Sequence, residues 1–116
     1  MKLITKAQYD QLIANGRKQE PVRGTPAEID FKPVVKLFNP CGSGTWLLTE
    51  IDPDAPDIAF GLCDIGYPEL GSVSLSELAS VRLPFGLGIE RDRHWTADKT
   101  LSAYARAASA AGRIVA

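Results

Sequence analysis

Few side chains in this sequence can bind a transition metal or form a disulfide. The 116 residues include two cysteines, Cys41 and Cys63, and one histidine, His94. A structural zinc site takes four cysteine or histidine ligands, so these three side chains cannot complete one. A lone disulfide is unusual in a reducing cytoplasm. We therefore expect both cysteines to be free thiols.

Long apolar runs are missing as well. No stretch approaches the ~20 apolar residues of a membrane-spanning helix, and the N-terminal residues lack the apolar segment of roughly 7–15 residues that a secretory signal needs. We therefore expect a cytoplasmic protein without a membrane partner. With 45% hydrophobic and 23% charged residues, the composition is typical of a globular protein, and the length fits one domain over residues 1–116.

Positive charge is absent from the middle of the chain. Residues 37–81 contain seven acidic residues and no lysine or arginine, while the segments on both sides are basic on balance and the net charge is −1. One interpretation is a solvated acidic face against which the basic flanks fold. The other is an acidic surface that binds a cation or a basic partner.

Residue patterns predict an α+β fold, with a mostly antiparallel sheet of four to five strands and three helices. Thr5 and Gln8 have capping-box spacing at the start of an N-terminal helix, and Asn15-Gly16 is typical of its end. Residues 17–33, rich in proline and charge, are predicted to be a connector. Residues 34–90 form the predicted sheet core. Its strands are expected at residues 34–38, 45–51, 58–65, 70–75 and 87–90.

Capping signals mark the other two helices. Ser74 or Ser76 opens a short middle helix, and Thr96 caps an alanine-rich C-terminal helix over residues 97–111. The apolar face of that helix is nearly flat, so it can pack on the sheet or on a second copy of the chain, which makes a homo-oligomer a further prediction. We expect helices on one face of the sheet only. The expected core residues are Trp46, Leu48, Phe60, Leu62, Leu78 and Leu101.

Carboxylates follow the apolar residues of two neighbouring strands. Strand alternation places Glu50 and Asp52 on the face of Trp46, and Asp64 ends the apolar stripe of the next strand. We expect these three carboxylates near one end of the sheet. There they could bind Mg²⁺ or act as general acid and base, or they could lie in solvent where the core stops.

Complete catalytic motifs are missing. A cysteine nucleophile would have only His94 as its base, and the glycine-containing segments 42–44 and 86–88 match no phosphate-binding loop. The acidic loop 52–57 lacks the glycine of a calcium-binding loop. We therefore assign no catalytic residue, no metal ligand and no cofactor.

The densest polar cluster spans Glu90, Arg91, Asp92, Arg93, His94 and Trp95. One interpretation is a solvated connector with internal ion pairs. Arg91, Arg93 and Trp95 could instead contact the phosphate and a stacked base of a nucleic acid. The neighbouring acids and the nearly neutral net charge disfavour that second interpretation.

Several segments between Lys36 and Trp95 resemble a known bacterial family. They are residues 46–50 with Asp52, 60–62, 66–67, 74–78 and 84–92, and residues 3–6 also look like the start of the family. The family is domain of unknown function number 2958, and the tail after Ala97 is longer than is usual for it. The resemblance implies a protein often encoded on plasmids, phages and integrative elements, with no activity assigned.

The resemblance and the acidic middle predict a small, non-catalytic accessory protein of a bacterial mobile element or phage. It would bind a protein partner, basic in charge, with counter-defence as one role. The alternative is a divalent-cation-dependent hydrolase, or another enzyme acting on nucleic acid, that uses the acidic cluster. The predicted partner-binding residues are Glu50, Asp52, Asp64, Glu90, Arg91, Asp92, Arg93 and Trp95.

Overall fold

Five antiparallel strands form the central sheet, in a computed structural model that describes residues 3–116. The strands are β1 (Val35–Phe38), β2 (Thr45–Ile51), β3 (Ile58–Asp64), β4 (Pro68–Ser74) and β5 (Glu90–Arg91). The α-helices are α1 (Lys6–Gln19), α2 (Leu75–Ser80) and α3 (Leu101–Ala111), and short 3-10 helices span Glu20–Val22 and Pro84–Gly86. The strands lie in the order β4-β3-β2-β1-β5. The predicted α+β class and the three predicted helices are confirmed.

Helix α1 begins as expected and ends later than expected. The Thr5 hydroxyl accepts a hydrogen bond from the Gln8 amide, and the Gln8 side chain accepts one from the Thr5 amide, so the capping box is present. The predicted end at Gly16 is wrong, because the helix continues to Gln19. A Cβ atom at Gly16 would lie 1.8 Å from the carbonyl oxygen of Ile51. This glycine therefore allows α1 to approach β2 closely.

A bulge in β2 changes which side chains share a face. Leu48 pairs with Gly61 and Glu50 pairs with Phe60, so Thr49 has no partner of its own on β3. An extra residue of this kind shifts the alternation of the strand. Leu48 therefore packs into the α1 side of the sheet, whereas Glu50 lines a cavity beside α3. The prediction that Glu50 shares a face with Trp46 is wrong.

Both faces of the sheet are covered, which corrects the expectation of helices on one face. The burial of every residue from Trp46 to Ile51 requires cover on both sides. Buried side chains on the α1 side include Leu12, Val35, Leu37, Trp46, Leu48, Ile51 and Leu78. Those on the α3 side are Leu47, Leu62, Leu101, Tyr104, Ala108 and Ile114, with Phe60 partly buried against them. All six expected core residues thus belong to these two clusters.

Helix α3 starts at Leu101, later than the predicted start after Thr96. Its first turn is held by residues distant in sequence. The Leu101 amide donates to the carbonyl oxygen of Phe31 at 2.8 Å, and the Ser102 amide donates to the Asp30 carboxylate at 3.0 Å. Residues 30 and 31 therefore accept hydrogen bonds from the first two amides of the helix, whose N-cap residue is Thr100.

The segment predicted as a connector over residues 17–33 is partly helical and is tied down by one amide side chain. The buried Gln19 donates from Nε2 to the carbonyl oxygen of Ile29 at 2.7 Å and accepts from the Ile29 amide at 2.8 Å. This reciprocal pair fixes the loop that follows α1. The loop then runs along one side of the cavity, where it places Glu28, Asp30 and Phe31.

The remaining elements differ from expectation mainly at their ends. The hydroxyl of Ser74 accepts the Glu77 amide, which confirms the earlier of the two predicted starts for α2. Strand β2 has the predicted bounds, and β3 ends one residue early at Asp64. Strand β5 (Glu90–Arg91) is shorter and later than the predicted strand over residues 87–90, and a 3-10 turn precedes it at Pro84–Gly86.

Candidate functional site

A cavity of about 650 Å³ opens on the α3 side of the sheet, near the end of β2 and the start of β3. The loop after α1, strands β2 to β4 and the first turn of α3 surround it. Most of its apolar wall comes from Ile29, Phe31, Ile58, Phe60, Leu70 and Leu101. Its polar residues are Gln19, Arg23, Glu28, Asp30, Thr49, Glu50, Asp52, Ser72 and Ser102.

Glu50 is the buried charge of this cavity. The residue is 5% exposed, because the bulge at Thr49 turns its side chain toward the α3 side. The Thr49 hydroxyl lies 3.2 Å from the Glu50 carboxylate and 3.3 Å from the carbonyl oxygen of Phe60. A hydroxyl has one proton, so it cannot donate fully to both acceptors.

The cationic side chain that contacts Glu50 is that of Arg23, at the rim of the cavity. Arg23 donates from Nη2 to the Glu50 carboxylate at a long 3.4 Å, and its side chain is 47% exposed. A buried carboxylate is costly unless it is well paired. One long contact to a half-exposed guanidinium is weak compensation, so Glu50 retains capacity to bind another cation.

Two other acidic residues of the cavity accept hydrogen bonds from backbone amides. Glu28 accepts the Gly24 amide at 2.9 Å, and Asp30 accepts both the amide and the hydroxyl of Ser102. Burial acts to raise the pKa of Asp30, but the hydrogen bonds from Ser102 and Thr100, together with the nearby Arg106, hold it below the usual value. Glu28 and Asp30 therefore shape the loop and α3, whereas Glu50 does not.

An acidic cluster lies at the edge of the cavity. Carboxylate oxygens of Glu20, Asp52 and Asp54 all lie within 4.8 Å of one another. The hydrogen bond with Asp54, followed by the repulsion from its charge, raises the pKa of Glu20. Three oxygens at this spacing could hold a hard cation, although exposed acids are often this close without one. A positive charge or a proton would relieve their repulsion.

Asp64 does not join Glu50 and Asp52, so the expectation that the three lie near one end of the sheet is wrong. In the antiparallel pair Asp64 lies opposite Thr45, at the other end of β2. Its carboxylate accepts the Gly66 amide at 3.0 Å and the Ile114 amide at 2.9 Å. It holds a turn and the residues after α3.

The cluster of residues 90–95 lies at the opposite edge of the sheet from β4, where β5 pairs with β1. Arg91 donates to the carbonyl oxygen of Leu3 at 3.1 Å, and Asp92 lies 3.6 Å from Lys36. The Trp95 ring packs against Tyr104 with 5.9 Å between centroids. These three side chains hold the structure together.

The other members of that cluster, Glu90, Arg93 and His94, are exposed. The predicted partner-binding residues therefore fall into separate groups. Glu50 and Asp52 line the cavity, Asp64 lies at the far end of β3, and residues 90–95 lie at the other edge of the sheet. Contact with a partner stays a prediction for all of them.

Both cysteines are free, as expected: Cys41 is exposed and Cys63 is partly buried. Burial, and to a lesser extent the charge of Glu69, raises the pKa of Cys63 to about 11. Because only the thiolate is a good nucleophile, we expect Cys63 to react slowly at neutral pH.

Sequence reasoning missed the loop side of the cavity. Arg23, Asp30 and Phe31 lie in the segment assigned to a connector, and no local motif marks them. The one usable signal was the pair of large apolar residues, Ile29 and Phe31, inside an otherwise polar stretch. Thr49 was missed because a bulge in the middle of a regular strand pattern leaves no mark in the sequence.

Comparison with known proteins identifies the family. Within residues 3–116, no helix combines the length and apolar character needed to cross a membrane. No match is found among curated proteins or among solved structures. The family model described as Protein of unknown function (DUF2958) matches residues 3–115, nearly the whole chain. The chain therefore belongs to this family of proteins of unknown function.

Proposed function

We propose that this protein acts by binding a basic protein partner, and that its cavity receives a lysine or arginine side chain of that partner. The observation that carries the proposal is the buried Glu50 carboxylate, which faces an apolar-walled cavity. Among the described residues its one cationic partner is a half-exposed arginine at 3.4 Å, and its other contact is the Thr49 hydroxyl at 3.2 Å. The Glu50 carboxylate is the group that would meet the incoming charge.

The chemistry of the cavity suits such a side chain. Lysine and arginine have apolar stems that pack on apolar surface while their charged ends seek polar partners. Phe60, Ile58 and Leu70 offer walls for the stem, and Glu50 and Asp52 offer charge for the end. The volume, about 650 Å³, lies within the range of roughly 300–1,000 Å³ that ligand pockets occupy.

The surrounding charge favours the same partner. Arg23 is the one basic residue among the described residues of the cavity lining, against four carboxylates. No lysine or arginine occurs between residues 37 and 81. An acidic surface of this extent speeds the approach of a basic partner and makes binding weaken as salt rises.

The biological setting belongs to the same proposal. We place the protein in the cytoplasm, as an accessory protein of a bacterial mobile element or phage, with counter-defence as one role. The support for this setting is the resemblance of the sequence to a family often encoded on such elements. Binding rather than hydrolysis is favoured because Asp64, one of the three acids considered for catalysis, lies at the far end of β3 and is bonded to backbone amides.

The test is a titration by calorimetry with a nine-residue peptide of alternating arginine and valine. We expect Glu50→Gln to weaken binding at least about tenfold, because a hydrogen bond to a charged group contributes about 1.5–3 kcal/mol. Glu77→Gln is the matched control: it removes the same charge from the acidic segment but lies outside the cavity lining, and it should change binding less than about twofold. Equal effects of the two variants would contradict the proposal.

A second experiment tests the alternative function, a cation-dependent hydrolase. Saturating Mg²⁺ at a hundredfold excess over its Kd would stabilise a metal-binding native state by about 2.7 kcal/mol. A melting shift of that size, lost in Asp52→Asn, would favour a cation-dependent enzyme instead. We expect no such specific shift with Mg²⁺ alone.

A further inference from the structure

Strand β4 forms one edge of the sheet and is much longer than the strand at the other edge. It spans the seven residues Pro68–Ser74, whereas β5 has two. An edge strand presents backbone N–H and C=O groups that another chain can pair with. Natural edges are often blocked by a lysine, a proline or a short length. Strand β4 has seven residues and no lysine, and its one proline, Pro68, is its first residue.

The direction of the free backbone groups follows from the register. The Leu75 amide donates to the carbonyl oxygen of Asp57 at 2.8 Å. In an antiparallel pair the residues bonded to the neighbour alternate with residues that face away. Gly71, four residues before Leu75, therefore faces β3, and Leu70 and Ser72 direct their N–H and C=O groups outward.

A second contact agrees with this assignment. The Cys63 thiol of β3 lies 3.9 Å from the carbonyl oxygen of Gly71, as expected if that carbonyl faces β3. Outside the ladder with β3, the hydrogen bonds found within residues 3–116 give the backbone groups of Leu70 and Ser72 no partner. Those groups are available at the edge.

The same two residues border the cavity. The side chains of Leu70 and Ser72 are part of its lining. Pairing places Glu50 beside Phe60, and Phe60 beside Ser72, in one row across three strands. A strand added along β4 would continue this row, and its alternate side chains would lie over the mouth of the cavity.

We propose that a basic, extended segment of the partner protein pairs with β4 as a sixth strand and directs an arginine or lysine side chain across Ser72 into the cavity. This inference rests on the proposed function and adds the mode of recognition. Strand addition takes its affinity from main-chain hydrogen bonds and its specificity from pockets for alternate side chains. Here the edge of β4 would supply the main-chain hydrogen bonds, and the cavity would supply the pocket for a side chain.

The charge near β4 and the exposure of Leu70 indicate which kind of segment would pair with this edge. The acidic residues near this edge are Asp57, Asp64 and Glu69, and no basic residue occurs in the segment 37–81 that contains them. A second copy of the chain would place one acidic edge against another, whereas a basic segment complements it. Leu70, 54% exposed, offers an apolar contact to a partner side chain.

The experiment removes one backbone N–H group, that of Ser72, which points away from β3. Proline is tolerated on an edge strand where its missing N–H would face solvent, so Ser72→Pro should fold and lose one hydrogen bond to the peptide of alternating arginine and valine. We expect binding to weaken about five- to tenfold relative to Ser72→Ala, which keeps the amide and loses the same hydroxyl. Equal affinity of the two variants, both shown to be folded by circular dichroism, would overturn strand addition.

A second measurement uses the unmodified protein, so it does not depend on the folding of a variant. The same peptide with alternate backbone amides N-methylated keeps its charge but loses one hydrogen-bonding edge. Of its two possible methylation patterns, one should bind at least about tenfold more weakly than the parent peptide and the other should retain binding. Equal binding of all three peptides would contradict strand addition.

Two further outcomes distinguish a failure of strand addition at β4 from a failure of the proposed function. If Glu50→Gln weakens binding while Ser72→Pro and N-methylation do not, the cavity receives the side chain but the edge is not used. If the protein forms a dimer that Ser72→Pro abolishes, and the peptide does not bind, the occupant of the edge is a second copy and the proposal is overturned.

Discussion

The two faces of the sheet are covered by helices of different kinds, and the difference explains where the cavity lies. The α1 face is filled by large aliphatic side chains, with Leu12, Leu37, Leu48 and Ile51 all at 0% exposure. The α3 face is covered by a shorter helix that contributes Leu101, Tyr104 and Ala108. Alanine allows a helix to approach closely but fills little volume. A cavity remains beside the first turn of α3, and it contains Glu50, the one deeply buried carboxylate among residues 3–116.

The largest expected effect is on the free energy of unfolding, when one leucine from each face of the sheet is replaced by alanine. Leu12→Ala should lower the free energy of unfolding by about 4 kcal/mol, because the filled α1 side leaves the new cavity unrelieved. Leu101→Ala should cost only about 2 kcal/mol, since Leu101 already borders a cavity and its surroundings can adjust. Urea denaturation of the two variants measures both values. Equal costs would show that the α3 side is packed as tightly as the α1 side.

Close approach of the backbone on the α1 side predicts a second effect. Gly16→Ala should destabilise the protein by about 2–3 kcal/mol, because its Cβ atom would overlap the carbonyl oxygen of Ile51 and force α1 away from β2. Gly71→Ala on β4 is the control: a Cβ atom there meets nothing within 4 Å. The control should be neutral or slightly stabilising. A stable Gly16→Ala variant would mean that α1 can move without cost.

The start of α3 is expected to depend on Asp30. Asp30→Ala should cost about 1 kcal/mol, the usual effect of losing a cap, because the Ser102 amide loses its acceptor. Hydrogen bonds hold the pKa of Asp30 below its usual value despite the opposing effect of burial. Its ionised form therefore stabilises the fold above the unfolded pKa of about 3.9, and that contribution is lost as pH falls through the lower folded pKa.

Thermal melting of wild type and Asp30→Ala across pH tests this point. The gap between the two melting temperatures should be full at pH 7 and should shrink below about pH 4. Asp30→Asn keeps an oxygen acceptor, so it should retain much of the stability at pH 7 and should lack the pH dependence. A constant gap down to pH 2 would rule out the charge of Asp30 as the cause.

The smallest expected effect concerns the acidic rim of the cavity. Asp54→Asn should raise the melting temperature slightly at pH 7, because Asp54 raises the pKa of Glu20 and the two charges repel when both are ionised. A raised folded pKa means that the contribution of Glu20 is favourable below about pH 4.3 and is lost as pH rises through the folded value. The gain should therefore be absent at pH 3. A gain of the same size at both pH values would contradict this origin.

Prediction from the sequence succeeded where the signal is local. The bounds of β2 and the capping box at Thr5 and Gln8 were identified correctly, because alternation and capping depend on residues a few positions apart. The acidic segment 37–81 was also visible, since composition alone reveals it. The position of Asp64 was predicted incorrectly. The antiparallel pairing of β2 with β3 places it opposite Thr45, at the other end of β2 from Glu50.

By itself, the sequence determined the α+β class, the order of the elements and the absence of positive charge across residues 37–81. Only the tertiary structure decided how Gly16, Thr49 and Asp30 are used. Gly16 continues a helix that it was expected to end, because α1 lies against the backbone of β2. Thr49 forms a bulge that redirects Glu50, and Asp30 caps a helix that begins 71 residues later at Leu101. Each depends on groups far apart in the chain, and local residue patterns do not record such contacts.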